Sequence, residues 1–325
     1  MSSIVEKVLA GDVLSVARLI RNIDDRIPEA IESLKLLYPH TGKSYVIGIT
    51  GSPGVGKSTL VDNMITQIRK QNKTVGVLAV DPTSPFTGGA ILGDRARMQK
   101  HSADSGVFIR SLATRGQFGG LTQSTRGAID VLDAMGKDFI IVETVGVGQD
   151  EVEIAKSAHT TIIVVIPGMG DEIQAIKAGI FEVGDIFLIN KTDMKGVNKA
   201  YNYLRLMINM EQKKYSEGIW KPLVLKVNAV SDEEVAGFIK EIETHKKYLL
   251  EKSSYHEFRR EENRVSSELI DIIKNRLVEE FLAKTIESNE FKKAVALITK
   301  GETDPYTAAD NIMLPLIQTL YKSSS

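Results

Sequence analysis

The stretch Gly51-Ser52-Pro53-Gly54-Val55-Gly56-Lys57-Ser58-Thr59 decides how the rest of the chain is read. It fits G-x-x-x-x-G-K-[ST], a phosphate-binding loop. Residues 45–50 before it (YVIGIT) are a short β-branched run, as expected of a buried strand. Residues 60–71 after it place Leu60, Met64, Ile65 and Ile68 on one helical face. The glycines let the backbone curl round a phosphate with its N–H groups turned inward, and the new helix adds its positive end. Lys57 is then placed to reach β- and γ-phosphates, and Ser58 to ligate Mg²⁺.

Working outward, apolar runs alternate with helical patterns from residue 45 to about 250. The strand candidates are 45–50, 75–80, 107–110, 139–143, 161–166, 185–190 and 223–227. Near-continuous apolar strands separated by helices predict a mostly parallel sheet covered on both faces, with ligands at the carboxyl ends of the strands. Before the first strand, Ile4, Val5, Val8 and Leu9 have helical spacing. Gly11-Asp12 breaks that run and offers an N-cap for a second helix from Val13, and Pro28 suits the first turn of a third through Leu37. These helices are expected to pack on the core. After about residue 253 the strand patterns stop, and 256–283, 287–299 and 307–321 read as helices. The first of them carries an apolar stripe of Val265, Leu269, Ile272, Ile273 and Leu277. The fold class is therefore α/β, a P-loop nucleoside triphosphatase sheet with N-terminal and C-terminal helical extensions. The expected division is 1–42, 43–252 and 253–325.

Composition narrows the chemistry. The 325 residues carry a formal net charge of −1, which gives no reason to expect a nucleic-acid partner. There is no cysteine, so disulfides, zinc–thiolate sites and thiol catalysis are excluded, and a reducing cytoplasm is compatible. No apolar run approaches the ~20 residues of a membrane span, so no membrane association is expected. The N-terminus lacks the long apolar core of a secretory signal. The five histidines are scattered without ligand spacing, against a transition-metal site.

Further motifs fall at strand ends. Asn190-Lys191-Thr192-Asp193 comes at the end of the apolar strand IFLIN and fits N-K-x-D, the guanine-reading motif of GTPases. The Asp193 carboxylate can accept from guanine N1–H and the 2-amino group, a pairing adenine does not offer. Asn190 braces the neighbouring loop and the Lys191 stem covers the base. Glu143-Thr144-Val145-Gly146 stands where a GTPase usually has D-x-x-G, with Glu143 toward Mg²⁺ and the Gly146 N–H toward the γ-phosphate. Val147 takes the place of a water-orienting Gln, and Gln149 is the nearest substitute. Asp81 and Asp94 are candidate Mg²⁺ oxygens, with Gly88 and Gly89 between them as hinges for a nucleotide-sensing segment. Arg97 or Arg95 is a candidate for the γ-phosphate. Asn228-Ala229-Val230 closes the last strand where S-A-x is common, which offers the Ala229 N–H to guanine O6.

Taken together, these motifs resemble the MeaB/ArgK-type GTPases, chaperones of methylmalonyl-CoA mutase. The resembling stretches are 48–60, DPTSPFTGGAILGDRARM within 79–98, TRGQFGGL at 114–121, VETVGVGQDEVEI at 142–154, 167–193, and DPYTAADNIM at 304–313. Glu143, odd for a generic GTPase, is usual there. The resemblance implies a GTP- and GDP-binding, Mg²⁺-dependent G domain and a homodimer built through C-terminal helices. It also implies a complex with an adenosylcobalamin-dependent acyl-CoA mutase, whose cofactor loading the GTPase gates and which it protects from inactivation. Residues 170–179 resemble the family's extra switch. Two other readings compete. One is a nickel-delivery GTPase of similar fold, against which stands the lack of cysteine and of a histidine cluster. The other is a P-loop kinase, against which stands N-K-x-D without a recognisable acceptor-base motif.

Overall fold

Seven runs of β-branched and aliphatic residues form seven strands: β1 (Tyr45–Thr50), β2 (Val75–Asp81), β3 (Val107–Ala113), β4 (Phe139–Thr144), β5 (Thr160–Val165), β6 (Ile186–Ile189) and β7 (Leu223–Lys226). The computed structural model describes residues 3–81, 99–113, 123–144, 150–168, 183–210, 219–251 and 255–322. The strands make one sheet in the order β3-β2-β4-β1-β5-β6-β7, and every neighbouring pair is parallel. Each strand anticipated from sequence is present, and β3 runs three residues further than its apolar stretch (107–110) suggested, to Ala113.

The helices are α1 (Ser3–Leu9), α2 (Val13–Asp24), α3 (Pro28–Leu37), α4 (Lys57–Lys70), α5 (Gln123–Ala134), α6 (Asp150–Ser157), α7 (Val197–Met210), α8 (Asp232–Glu251), α9 (Tyr255–Ile286), α10 (Asn289–Thr299) and α11 (Pro305–Lys322). Side chains alternate across a strand, so each strand feeds two cores. On one face Ile47, Ile49, Val77, Ile141 and Ile162 pack with Leu60, Met64 and Ile68 of α4 and Phe238 and Ile242 of α8. On the other face Val46, Leu78, Ile140 and Val142 pack with Val131 and Leu132 of α5 and Ile154 of α6. Val5, Val8, Leu19, Ile20 and Ile23 of the first two helices join the same cluster. The N-terminal helices therefore pack on the sheet domain. α2 opens as its sequence suggests, Asp12 Oδ1 accepting from the Ser15 N–H at 2.7 Å, and runs on to Asp24.

The segment joining these helices to β1 is held by one carboxylate. Asp133 of α5 accepts from the backbone N–H groups of Gly42 (2.6 Å), Lys43 (3.1 Å) and Ser44 (2.9 Å). Three successive N–H groups round a buried anion make a concave nest. Asp133→Ala leaves those donors without their acceptor and is expected to destabilise the chain by about 2–3 kcal/mol. The shift in the urea midpoint checks this. Asp133→Asn, which keeps one oxygen, should lose less.

The chain divides into two compact units, Met1–Glu257 and Phe258–Ser325. In the second, Ser288 caps α10 and Asp304 caps α11, accepting from the N–H groups of Tyr306 and Thr307. Among those of its residues whose side chains are described, only Thr285 and Ala308 are buried. Val265, Leu269, Ile273 and Leu277 are all more than 40% exposed. No helix among the described residues is long and apolar enough to cross a membrane.

Candidate nucleotide site

The phosphate-binding loop joins the carboxyl end of β1, in the middle of the sheet, to α4. Two of its glycines are required by their neighbours. Gly51 has φ +140°, and a Cβ there would lie 2.1 Å from the Val164 carbonyl oxygen. Gly56 has φ +97°, and its Cβ would lie 2.4 Å from Asn190 Nδ2. Neither conformation nor space admits a side chain.

Lys57 and Ser58 are buried at the start of α4. The helix begins three residues earlier than the apolar pattern indicated, because its first turn is polar and turned toward the loop. Lys57 Nζ donates to the carbonyls of Gly51 (2.6 Å) and Ser52 (3.2 Å). Ser58 Oγ donates to Glu143 Oε1 at 2.8 Å, with Glu143 only 4% exposed at the end of β4. Beside it Thr144 Oγ1 donates to Thr50 Oγ1 at 2.9 Å, which ties the carboxyl ends of β4 and β1. Two hard oxygens of opposite hydrogen-bonding character thus meet at the helix start.

Asn190 sits after β6 and joins three loops. Its Nδ2 donates to the Val55 carbonyl at 2.8 Å, and its Oδ1 accepts from the Lys191 N–H at 2.7 Å and the Ala229 N–H at 2.9 Å. Lys191 adopts φ +53°, a left-handed conformation uncommon for a side-chain-bearing residue. Its Nζ donates to the Gly54 carbonyl at 3.0 Å, so its stem crosses from the base-reading motif to the phosphate loop. Asp193 is exposed. The Ala229 N–H, which the motif offers to guanine O6, is engaged by Asn190. The next donor is the N–H of Val230, a residue 72% exposed, with a 3.4 Å contact to Asn228 Oδ1.

Two residues went unnoticed in the sequence. Asn63 and Gln67, one turn apart on α4, are 6% and 7% exposed. Asn63 Nδ2 donates to the Ala229 carbonyl at 3.3 Å, and Gln67 Nε2 donates to Asn63 Oδ1 at 3.1 Å. A buried amide pair on an otherwise apolar helix face was the available signal.

The structure therefore brings together Gly51–Thr59, Glu143, Asn190, Lys191, Asn228, Ala229 and Val230, with Asp193 two residues beyond Lys191. Asp81 closes β2 beside Ala113, and its side chain lies outside the described residues. So do Asp94, Arg95, Arg97, Gly146, Val147, Gln149, Gly88, Gly89 and residues 170–179.

A parallel sheet with this loop after its central strand, and a guanine-reading motif after β6, define a P-loop GTPase. Comparison with known proteins agrees. Residues 16–286 match the family model "Methylmalonyl Co-A mutase-associated GTPase MeaB", and the chain belongs to that family. It is 44% identical to a Pyrococcus abyssi protein over 98% of this chain and 97% of that one. It is 35% identical to GTPase ArgK of Escherichia coli over 70% of each chain. It is 36% identical to the mouse protein "Methylmalonic aciduria type A homolog, mitochondrial", over 58% of this chain and 46% of that one. Among solved structures, that of a LAO/AO transport system kinase shares the fold, with a TM-score of 0.67 at 24% identity, covering 98% of this chain and 97% of that one.

Proposed function

We propose that this GTPase is the chaperone of an adenosylcobalamin-dependent acyl-CoA mutase, methylmalonyl-CoA mutase first among them. In this reading GTP hydrolysis gates cofactor loading and protects the mutase from inactivation. The observation that carries the reading is the match of residues 16–286 to a family described by its association with that mutase. The mouse relative's name supports it. We assign the work to the cytoplasm, with which the cysteine-free composition is compatible.

The site suits Mg²⁺ with GTP or GDP. The Ser58 hydroxyl and the Glu143 carboxylate, 2.8 Å apart at the helix start, are the hard oxygen donors that Mg²⁺ takes, directly or through water. Asp81 and Asp94 are the further candidates. The ion, when bound, neutralises charge on the β- and γ-phosphates. Lys57 exchanges its two carbonyl partners for phosphate oxygens, and the loop N–H groups hold the rest. Asp193 and the Val230 N–H read the base, while Asn190 holds the loops that carry them.

Val147 stands where a water-orienting Gln is usual, so the isolated protein is expected to hydrolyse GTP slowly and its mutase to accelerate it. Arg97, Arg95 and Gln149 are the groups we assign to complete the site. A newly placed arginine is worth roughly 10³–10⁵ in GTPases, and one repositioned within the same chain should give less. Single-turnover hydrolysis with and without the mutase, for the parent and Arg97→Ala, tests this. An unchanged rate with a mutase shown to bind would refute gating, whereas stimulation surviving in Arg97→Ala removes only that residue.

We assign residues 253–325 to a dimerisation arm. Its exposed stripe of Val265, Leu269, Ile273 and Leu277, with half-buried Ile272, needs a cover that a second copy supplies. Light scattering should give a dimer for the full chain and a monomer after truncation before His256. A monomeric full-length chain at micromolar concentration rules this out.

A further inference from the structure

We propose that Asn63, braced by Gln67, is a positioning residue that aims the Val230 N–H at the 6-position of the bound purine. The inference rests on the guanine-nucleotide reading above and adds to it a determinant that lies on the phosphate-loop helix.

The argument starts from one peptide unit. The Ala229 carbonyl and the Val230 N–H belong to the same planar trans peptide, so they point in opposite directions. Asn63 Nδ2 holds that carbonyl from the α4 side at 3.3 Å, which turns the Val230 N–H away from the helix. The preceding N–H, of Ala229, is held by Asn190 Oδ1 at 2.9 Å. The Ala229 residue is thus gripped at its nitrogen by the base-reading motif and at its oxygen by α4. The donor left facing outward is that of Val230, at an exposed position. Its contact with Asn228 Oδ1, at 3.4 Å, is long for an N–H···O bond and leaves it able to meet a better acceptor.

Gln67 keeps Asn63 in the productive orientation. Its Nε2 donates to Asn63 Oδ1, which fixes which end of the Asn63 amide is oxygen and presents the nitrogen to the carbonyl. Lys70, one turn further along α4, bonds Asp232 at 2.9 Å, and so ties the first residue of α8 to the same helix. The loop between β7 and α8 is therefore positioned from α4 along two turns. Two amides nearly excluded from water on an apolar face are costly to keep. Their hydrogen bonds to each other and to the Asp232 carboxylate of α8 satisfy part of that need, and the bond from Asn63 to the Ala229 carbonyl is the one that reaches the base-reading loop.

The test uses the full-length chain and diphosphates, which are not turned over: GDP, 6-thio-GDP, IDP and ADP, with affinities from calorimetry. Sulfur is a poor acceptor, so 6-thio-GDP reports the contact at position 6. IDP lacks the 2-amino group and reports Asp193. The parent should prefer GDP to 6-thio-GDP by about 5–10-fold, the worth of one hydrogen bond. In Asn63→Ala that ratio should fall below about 2-fold while the GDP-to-IDP ratio is unchanged. Loss of packing alone would weaken all four ligands together. Gln67→Ala should show a smaller fall in the same ratio, and serves if Asn63→Ala does not fold. A folded Asn63→Ala, or failing it Gln67→Ala, that keeps the parental GDP to 6-thio-GDP ratio overturns the proposal. A parent that binds ADP as tightly as GDP overturns the guanine reading itself, and the proposal with it.

Discussion

Lys57→Ala is expected to lower single-turnover GTP hydrolysis by at least about 10²–10³-fold, the cost of removing one preorganised electrostatic group from a transition state. Lys57 is 7% exposed, and its ammonium already lies inside the curl of the loop, bound to the Gly51 and Ser52 carbonyls. A triphosphate entering that curl offers stronger acceptors at the place where the charge is held. Phosphoryl transfer asks little of a protein beyond position and charge. The loss should therefore appear mainly in the chemical step, with GDP affinity less affected. Rates within about 3-fold of the parent would be smaller than the cost of one such group and would mean that the site is elsewhere.

Asp193→Asn should exchange guanine for xanthine. In the proposed reading the Asp193 carboxylate accepts from N1–H and the 2-amino group of guanine. An amide accepts from N1–H and donates to the O2 of xanthine. A site that hydrogen-bonds its ligand rejects the mismatched analogue by as much as 10⁴–10⁵, and an exposed residue such as Asp193 should give less. The GTP-to-XTP affinity ratio is expected to change by roughly 10³-fold or more. Hydrolysis of saturating XTP by the variant should match that of GTP by the parent, because Lys57, Ser58 and Glu143 are untouched. An unaltered ratio would remove Asp193 from base reading.

Much of this molecule is legible in its sequence. Seven strands could be read because a sheet covered on both faces leaves unbroken aliphatic runs such as FIIV and TTIIVV. The phosphate loop could be read because its glycines and lysine are set by the shape of a phosphate. What escaped is what depends on distant partners. No local pattern shows that Asp133 will gather the N–H groups of residues 42–44, some ninety positions away. The apolar periodicity of α4 conceals that its first turn is helical and that Asn63 and Gln67 are buried. The motif at 228–230 suggested Ala229 as the donor to the base. Only the folded chain shows that N–H in the grip of Asn190, because tertiary structure brings that acceptor from 39 positions away.

The nearness of Asn190 Nδ2 to the empty Cβ position of Gly56 has a consequence for redesign. The two positions are a lock in which each part is cut to the other. A side chain at 56 expels the Asn190 amide, and a bulkier residue at 190 presses on the backbone at 56. On the proposed reading, triphosphate grip and base choice are inherited as one block, and a library that randomises either position alone is expected to return mostly inactive clones. New nucleotide preferences are open at Asp193 and around Val230, at the rim of the block, where side chains face solvent. An orthogonal version of this GTPase, driven by an unnatural nucleotide inside a cell, is best sought there.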